Sequence, residues 1–116
     1  IDRLQAAYDR TQGRLAEKIL GPDEMLVFKH RLARNHKRGI AFLATRFAAK
    51  EALVKAIGSE SMRWVDIEIP KTGEAPRFVF SGEIAERVRR EGLSFHLSLS
   101  HDGGIAMASV IAENAA

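Results

Sequence analysis

Glu51 is the single carboxylate in the run Arg46-Phe47-Ala48-Ala49-Lys50-Glu51-Ala52-Leu53-Val54-Lys55-Ala56, where Arg46, Lys50 and Lys55 bracket it. Ala, Leu, Lys and Glu are good helix formers and Gly58 stands where a C-terminal cap belongs, so the run reads as a helix. Lys55 follows Glu51 by four residues, which puts both side chains on one face with Cβ atoms roughly 5–6 Å apart. The small residues Ala48, Ala49 and Ala52 would let a ligand or another segment come close. A hard carboxylate oxygen among cations suits a metal-assisted phosphate site. An exposed helix with one ion pair has the same pattern, and these residues alone leave both readings open.

Other catalytic arrangements can be set aside. His30, His36, His96 and His101 show no zinc-binding spacing. Ser98, Ser100 and His101 lie too close along one strand and turn to make a Ser-His-Asp triad by sequence alone. No phosphate-cradling loop ending in Gly-Lys-Ser or Gly-Lys-Thr is present, which excludes a P-loop hydrolase. His101 beside Asp102 in a Gly-rich turn reads either as a ligand-contacting pair or as ordinary turn polarity. With no Cys in the chain, disulfides, thiolate metal sites and a Cys nucleophile are excluded.

Charge is unevenly spread although the net value is only +3. Between Glu24 and Glu51 there is no acid, while Lys29, Arg31, Arg34, Lys37, Arg38, Arg46 and Lys50 are basic. Such a block attracts polyanions: nucleic acid, a phosphate-rich cofactor or an acidic protein. Nucleic-acid binding would need aromatics interleaved with the bases, and Phe28, Phe42 and Phe47 sit instead at core-facing helical spacing. The 116 residues, 46% of them hydrophobic, suffice for one domain with a core of its own. No apolar run approaches the ~20 residues of a membrane span, and the first residues lack a signal-peptide layout, so a cytoplasmic location is expected.

The elements that must position these residues follow from periodicity and punctuation. Helical spacing runs from Asp2 to about Gln12 and from Arg14 to Leu20, with a new start at Gly21-Pro22-Asp23-Glu24 continuing to about Arg34. Asn35 to Gly39 is a break, and the longest helix is expected from about Gly39 to Ile57. Trp64 to Ile69 alternates as a strand, with Val65, Ile67 and Ile69 on one face. After turn chemistry at Pro70 to Pro76, Arg77 to Phe80 makes an antiparallel partner. Ser81 can cap a helix from Gly82 to about Arg90. Ser94 to Ser100 alternates strictly, His101 to Gly104 is a hairpin turn, and Ile105 to Ala112 is apolar on both faces, as a central strand would be. The predicted class is α+β, with helices packed on an antiparallel sheet.

Four segments together carry a resemblance. They are Arg46-Phe-Ala-Ala-Lys-Glu51-Ala-Leu-Val-Lys55-Ala, Trp64-Val-Asp-Ile-Glu-Ile69, Gly73-Glu-Ala-Pro76 and His96-Leu-Ser-Leu-Ser-His101, with Glu17 to Leu20 and then Glu24 ahead of them. In order and spacing they resemble holo-[acyl-carrier-protein] synthase, the single-domain type of 4′-phosphopantetheinyl transferase, across essentially the whole chain. The resemblance implies one transferase domain over residues 1–116, belonging to fatty acid biosynthesis. It implies transfer of the 4′-phosphopantetheine arm of coenzyme A (CoA) to a Ser of apo acyl carrier protein, releasing adenosine 3′,5′-bisphosphate. Glu51 matches the family's Mg²⁺-binding glutamate and Lys55 the lysine that neutralises charge on the pyrophosphate. Lys37, Arg46 and His101 match positions that grip the CoA 3′-phosphate, and Gly73 to Pro76 the loop near the adenine. Arg3 and Arg38 match arginines that face the acidic helix of the carrier protein. A homotrimer is also implied, with CoA-gripping and metal-binding residues from different chains.

The family pattern begins with a strand ending Gly-x-Asp-Ile-Val-Glu-Ile, whose Asp is the other protein ligand of Mg²⁺. Ile1 aligns with the last residue of that motif, and Asp2 and Asp9 fall after it, so the expectation is of a chain lacking that strand and that ligand. The competing reading is a non-enzymatic or catalytically impaired basic module that binds CoA, carrier protein or nucleic acid.

Overall fold

Asn35 alone separates the two longest helices. The computed structural model describes residues 1–70, 75–102 and 104–114. Within it α1 (Asp2–Arg10) and α2 (Arg14–Ile19) lead into α3 (Pro22–Arg34) and α4 (His36–Ile57). The expected break over 35–39 shrinks to one residue because Asn35 does two jobs. Its extended backbone ends α3, and its side-chain oxygen accepts the Arg38 N–H at 3.2 Å, so α4 starts at His36. The two helices then fold back closely: a Cβ on Gly39 would lie 2.7 Å from the Leu32 Cα.

A 3₁₀ turn (Trp64–Asp66) precedes β1 (Ile67–Glu68), which pairs antiparallel with β2 (Val79–Phe80). Alternation over 64–69 had predicted a full strand. The ring of Trp64 packs 5.5 Å from that of Phe47, its carbonyl accepts from Lys50, and the Asp66 carbonyl accepts the Ser81 N–H, so long-range contacts hold 64–66 as a turn. Ser81 precedes α5 (Gly82–Glu91), but its hydroxyl bonds Asp66 and makes no cap.

In the hairpin of β3 (Leu93–Asp102) and β4 (Ile105–Asn114), β3 has the expected inside-out alternation, but His101 and Asp102, expected in the turn, extend the strand and pair with Ala106 and Ile105. The central-strand expectation for 105–112 needs correction, since β3 is the one strand paired with β4 among the described residues. One face of β4 turns inward, as Val110 does; on the other, Ile105, Met107 and Ile111 remain 62%, 63% and 57% exposed.

Two apolar clusters result. One joins Ala16, Ile19, Leu20, Phe28, Phe42 and Leu43; the other joins Leu53, Ile67 and Ile84, rimmed by Phe78, Phe80 and Phe95. The Arg87 guanidinium closes α4 by donating to the carbonyls of Ile57, Gly58 and Glu60, satisfying acceptors that a helix end leaves open.

Gly39→Val should cost about 1–3 kcal/mol, as overpacked sites do. Urea denaturation measures it, and an undiminished stability would contradict the close α3–α4 approach.

Candidate active site

Glu24 begins as a helix-start acid and ends as a buried hub, 2% exposed. Its Oε1 accepts the Gly21 N–H at 3.0 Å, in the manner of a capping box. Gly21 has no side chain to return the bond, so Glu68 of β1 supplies it, accepting the Glu24 N–H at 2.8 Å. The Lys50 ammonium, wholly buried, donates to Glu24 Oε1 at 2.6 Å and to the carbonyls of Ile19 at 2.5 Å and Trp64 at 3.1 Å. Arg46 lies 4.0 Å from Glu24 Oε2 and donates to the Ile69 carbonyl at 3.0 Å, while the Ile69 N–H donates to Glu24 Oε2 at 2.9 Å. Both backbone groups of Ile69 are thus held by side chains of α3 and α4.

Burial pulls the Lys50 pKa below its usual value, and Glu24 opposes it. Burial likewise lowers that of Arg46, with Glu24 opposing and Arg31 adding to the drop. The guanidinium of Arg46 sits 4.0 Å over the Phe42 ring centroid and that of Arg31 at 5.2 Å. Arg46 thereby forms one wall of a cleft of about 1130 Å³ between α3, α4 and the end of β3. Arg31, Arg34, Arg38, Arg46, His30 and His101 line it, Leu26, Val27 and Leu99 supply apolar wall, and no Asp or Glu among the described residues does so. A concave, acid-free surface with several guanidinium groups is chemistry for phosphate.

Glu51 and Lys55 lie elsewhere. Their ion pair spans 3.7 Å, with side chains 50% and 77% exposed, and neither lines the cleft. Arg38, Phe42 and Arg46 share one face of α4 at intervals of four, whereas Glu51 is five residues beyond Arg46 and so about 140° around the axis. The three cations expected around Glu51 therefore reduce to Lys55, since Lys50 and Arg46 turn inward to Glu24.

Of the other candidates, Arg38 joins Arg46 and His101 in the cleft. Lys37 and Arg3 are exposed outside its lining, and Pro76 is half-buried beyond Ile69. Gly73 lies outside the described residues. Among the described residues no group of three or more His, Cys, Asp and Glu could hold a metal ion. The Glu51 carboxylate, exposed and hard, fits Mg²⁺ shared with the phosphates of a ligand, not a metal held by protein alone.

The family model of the 4′-phosphopantetheinyl transferase superfamily matches residues 1–108. The chain belongs to that superfamily. The holo-[acyl-carrier-protein] synthase of Polynucleobacter asymbioticus is 56% identical to it over 115 residues, 96% of this chain and 88% of that protein. The crystal structure of the synthase from Neisseria meningitidis matches with a TM-score of 0.86 at 28% identity, covering 97% of this chain and 90% of that one. The Helicobacter pylori synthase in complex with coenzyme A matches with a TM-score of 0.76 at 27% identity, covering 97% and 92%. The α+β architecture of helices with small antiparallel sheets is the fold of these transferases.

Sequence reading of this phosphopantetheinyl transferase missed Glu24, Lys50 and Arg31. A signal for Lys50 existed: it lies between Leu43, Arg46, Leu53 and Ile57 on the stripe of α4 that faces inward, where a lysine needs an acid.

Lys50→Met leaves the Glu24 carboxylate buried without its cation and should cost about 3–5 kcal/mol. Adding Glu24→Gln to it should recover part of that loss in chemical denaturation. A Lys50→Met chain as stable as wild type would contradict the hub.

Proposed function

We propose that this chain transfers the 4′-phosphopantetheine arm of CoA to a serine hydroxyl of apo acyl carrier protein, leaving adenosine 3′,5′-bisphosphate. The observation that carries this reading is the arginine-lined cleft, without an acid among the described residues of its lining, in a chain 56% identical to a protein named holo-[acyl-carrier-protein] synthase. In the transfer the serine oxygen bonds to the phosphorus bearing the pantetheine arm, the bridging oxygen leaves on the adenosine bisphosphate, and the serine proton passes to a base. Glu51, exposed on α4, would hold Mg²⁺ and the water that takes this proton; Lys55 beside it would neutralise charge on the pyrophosphate. Bound Mg²⁺ would supply electrostatic stabilisation of the same oxygens. Arg46 and His101 would grip the CoA 3′-phosphate with charge-assisted bonds, joined by Lys37 from outside the cleft's lining, and residues 73–76 would run beside the adenine.

Because Glu51 and the cleft occupy different faces of α4, one CoA reaches both most simply when they come from two chains. The exposed row Ile105, Met107 and Ile111 on β4 is an apolar face that a second copy would cover, in keeping with a homotrimer. Arg3 and Arg38, both exposed, would meet an acidic carrier protein, which would make encounter salt-sensitive. We read the 116 residues as one domain acting in fatty acid biosynthesis in the cytoplasm; no helix among the described residues is long and apolar enough to cross a membrane.

Incubation with CoA, Mg²⁺ and an apo carrier protein, read by intact mass, should show the carrier gaining the arm. A parallel sample extended before Ile1 by the family's Asp-bearing strand tests the second metal ligand. Glu51→Gln should abolish Mg²⁺-dependent transfer while the circular dichroism spectrum stays unchanged. Wild-type rates in that variant would remove Glu51 from the mechanism, and CoA binding without product in either chain would favour the non-enzymatic module.

A further inference from the structure

Arg31 lines the cleft on α3, and its surroundings are unusual for a surface arginine. Its guanidinium lies 5.2 Å from the centroid of the Phe42 ring, which also holds Arg46 at 4.0 Å. Two cations are therefore gathered on one buried ring, and each raises the cost of the other's charge. The acid behind them is Glu24, whose oxygens already serve Gly21, Lys50 and Ile69. Glu68 is likewise engaged, at the Glu24 N–H. Among the described residues Arg31 has no carboxylate within ion-pair distance, and the Arg46 Nε–H is buried without an acceptor. The excess positive charge of this pair faces a cleft whose lining, among the described residues, holds no acid.

We propose that Arg31 is a specificity-determining residue that, with Arg46, pinches a phosphate monoester dianion in the cleft. A monoester carries close to two negative charges at neutral pH, with a second pKa near about 6, and presents three acceptor oxygens. Two guanidinium groups on one ring match that charge and geometry, whereas an ester-linked phosphate inside a pyrophosphate offers less charge per phosphorus. This rests on the CoA-dependent reading above, since the 3′-phosphate is the one monoester in CoA. Phe42 acts here as a positioning residue, holding both guanidinium groups at the cleft wall by cation–π contact.

Isothermal titration of wild type, Arg31→Gln, Arg31→Lys and Lys29→Gln with CoA and with 3′-dephospho-CoA tests the assignment. Lys29 is exposed on the same helix outside the cleft lining, so its variant controls for net charge. Arg31→Gln should weaken CoA binding by about 10- to 100-fold, the range of a lost charged hydrogen bond. Dephospho-CoA binding and the melting temperature should hardly change. Arg31→Lys should fall between wild type and Arg31→Gln for CoA, and Lys29→Gln should resemble wild type. An unchanged CoA affinity in Arg31→Gln, an equal loss with both ligands, or the same loss in Lys29→Gln would each overturn the role. A wild-type chain that binds CoA but does not distinguish it from its dephospho form would do so too. A wild-type chain that binds neither ligand would instead remove the CoA-dependent reading on which the inference stands.

Discussion

A single buried carboxylate organises this molecule. Glu24 is almost wholly excluded from solvent, as is Lys50 beside it, and a charge in such a place is tolerated only when it is paired and hydrogen-bonded. Between them they tie the start of α3, the end of α2, the middle of α4 and the 3₁₀ turn into one knot. The two apolar clusters supply general cohesion, but they are non-directional and set no register. The Glu24–Lys50 pair does set it, because each remaining lone pair and proton goes to a particular backbone group.

The knot also fixes where function can lie. With Glu24 and Ile69 holding Arg46 from behind, the Arg46 guanidinium is presented to the cleft against Phe42. Arg46 and Lys50 share one acid, Glu24, and Arg31 adds a further cation on the Phe42 ring beside Arg46. The fold thus carries excess positive charge at the cleft wall, stabilised by burial of the aliphatic stems and by the ring. A bound anion would relieve that excess. On the proposed reading, folding and phosphate recognition draw on the same residues, and one helix motif supplies both the strut, Lys50, and the exposed pair Glu51 and Lys55.

Much of this was legible in the sequence and some was not, for identifiable reasons. Local signals did well: the Pro22 start, the Gly58 stop, the β1–β2 pairing and the alternation of β3 all appear where periodicity put them. Local signals failed where a distant partner decided. Residues 64–66 alternate like a strand but are held as a turn by Phe47, Lys50 and Ser81. Lys50 reads as one more base around Glu51, yet its partner lies 26 residues earlier. Residues 105–112 read as a central strand because both faces are apolar, but among the described residues β4 pairs with β3 alone and its outer row stays exposed. Glu51 and Lys55 form the ion pair that their four-residue spacing predicts. Their separation from the cleft depends on the angle around α4, which spacing could have given.

On the proposed reading, α4 carries two half-sites on different faces, which a second copy of the chain would join into one. Subunit complementation tests it most directly. Glu51→Gln chains keep an intact cleft and His101→Ala chains keep an intact carboxylate, so the two are co-refolded and assayed for transfer at limiting CoA. Activity well above the summed activities of the two variants is expected, because some interfaces would pair the intact cleft of one chain with the intact Glu51 of another. Activity no greater than that sum, in a preparation shown to contain mixed oligomers, would contradict it.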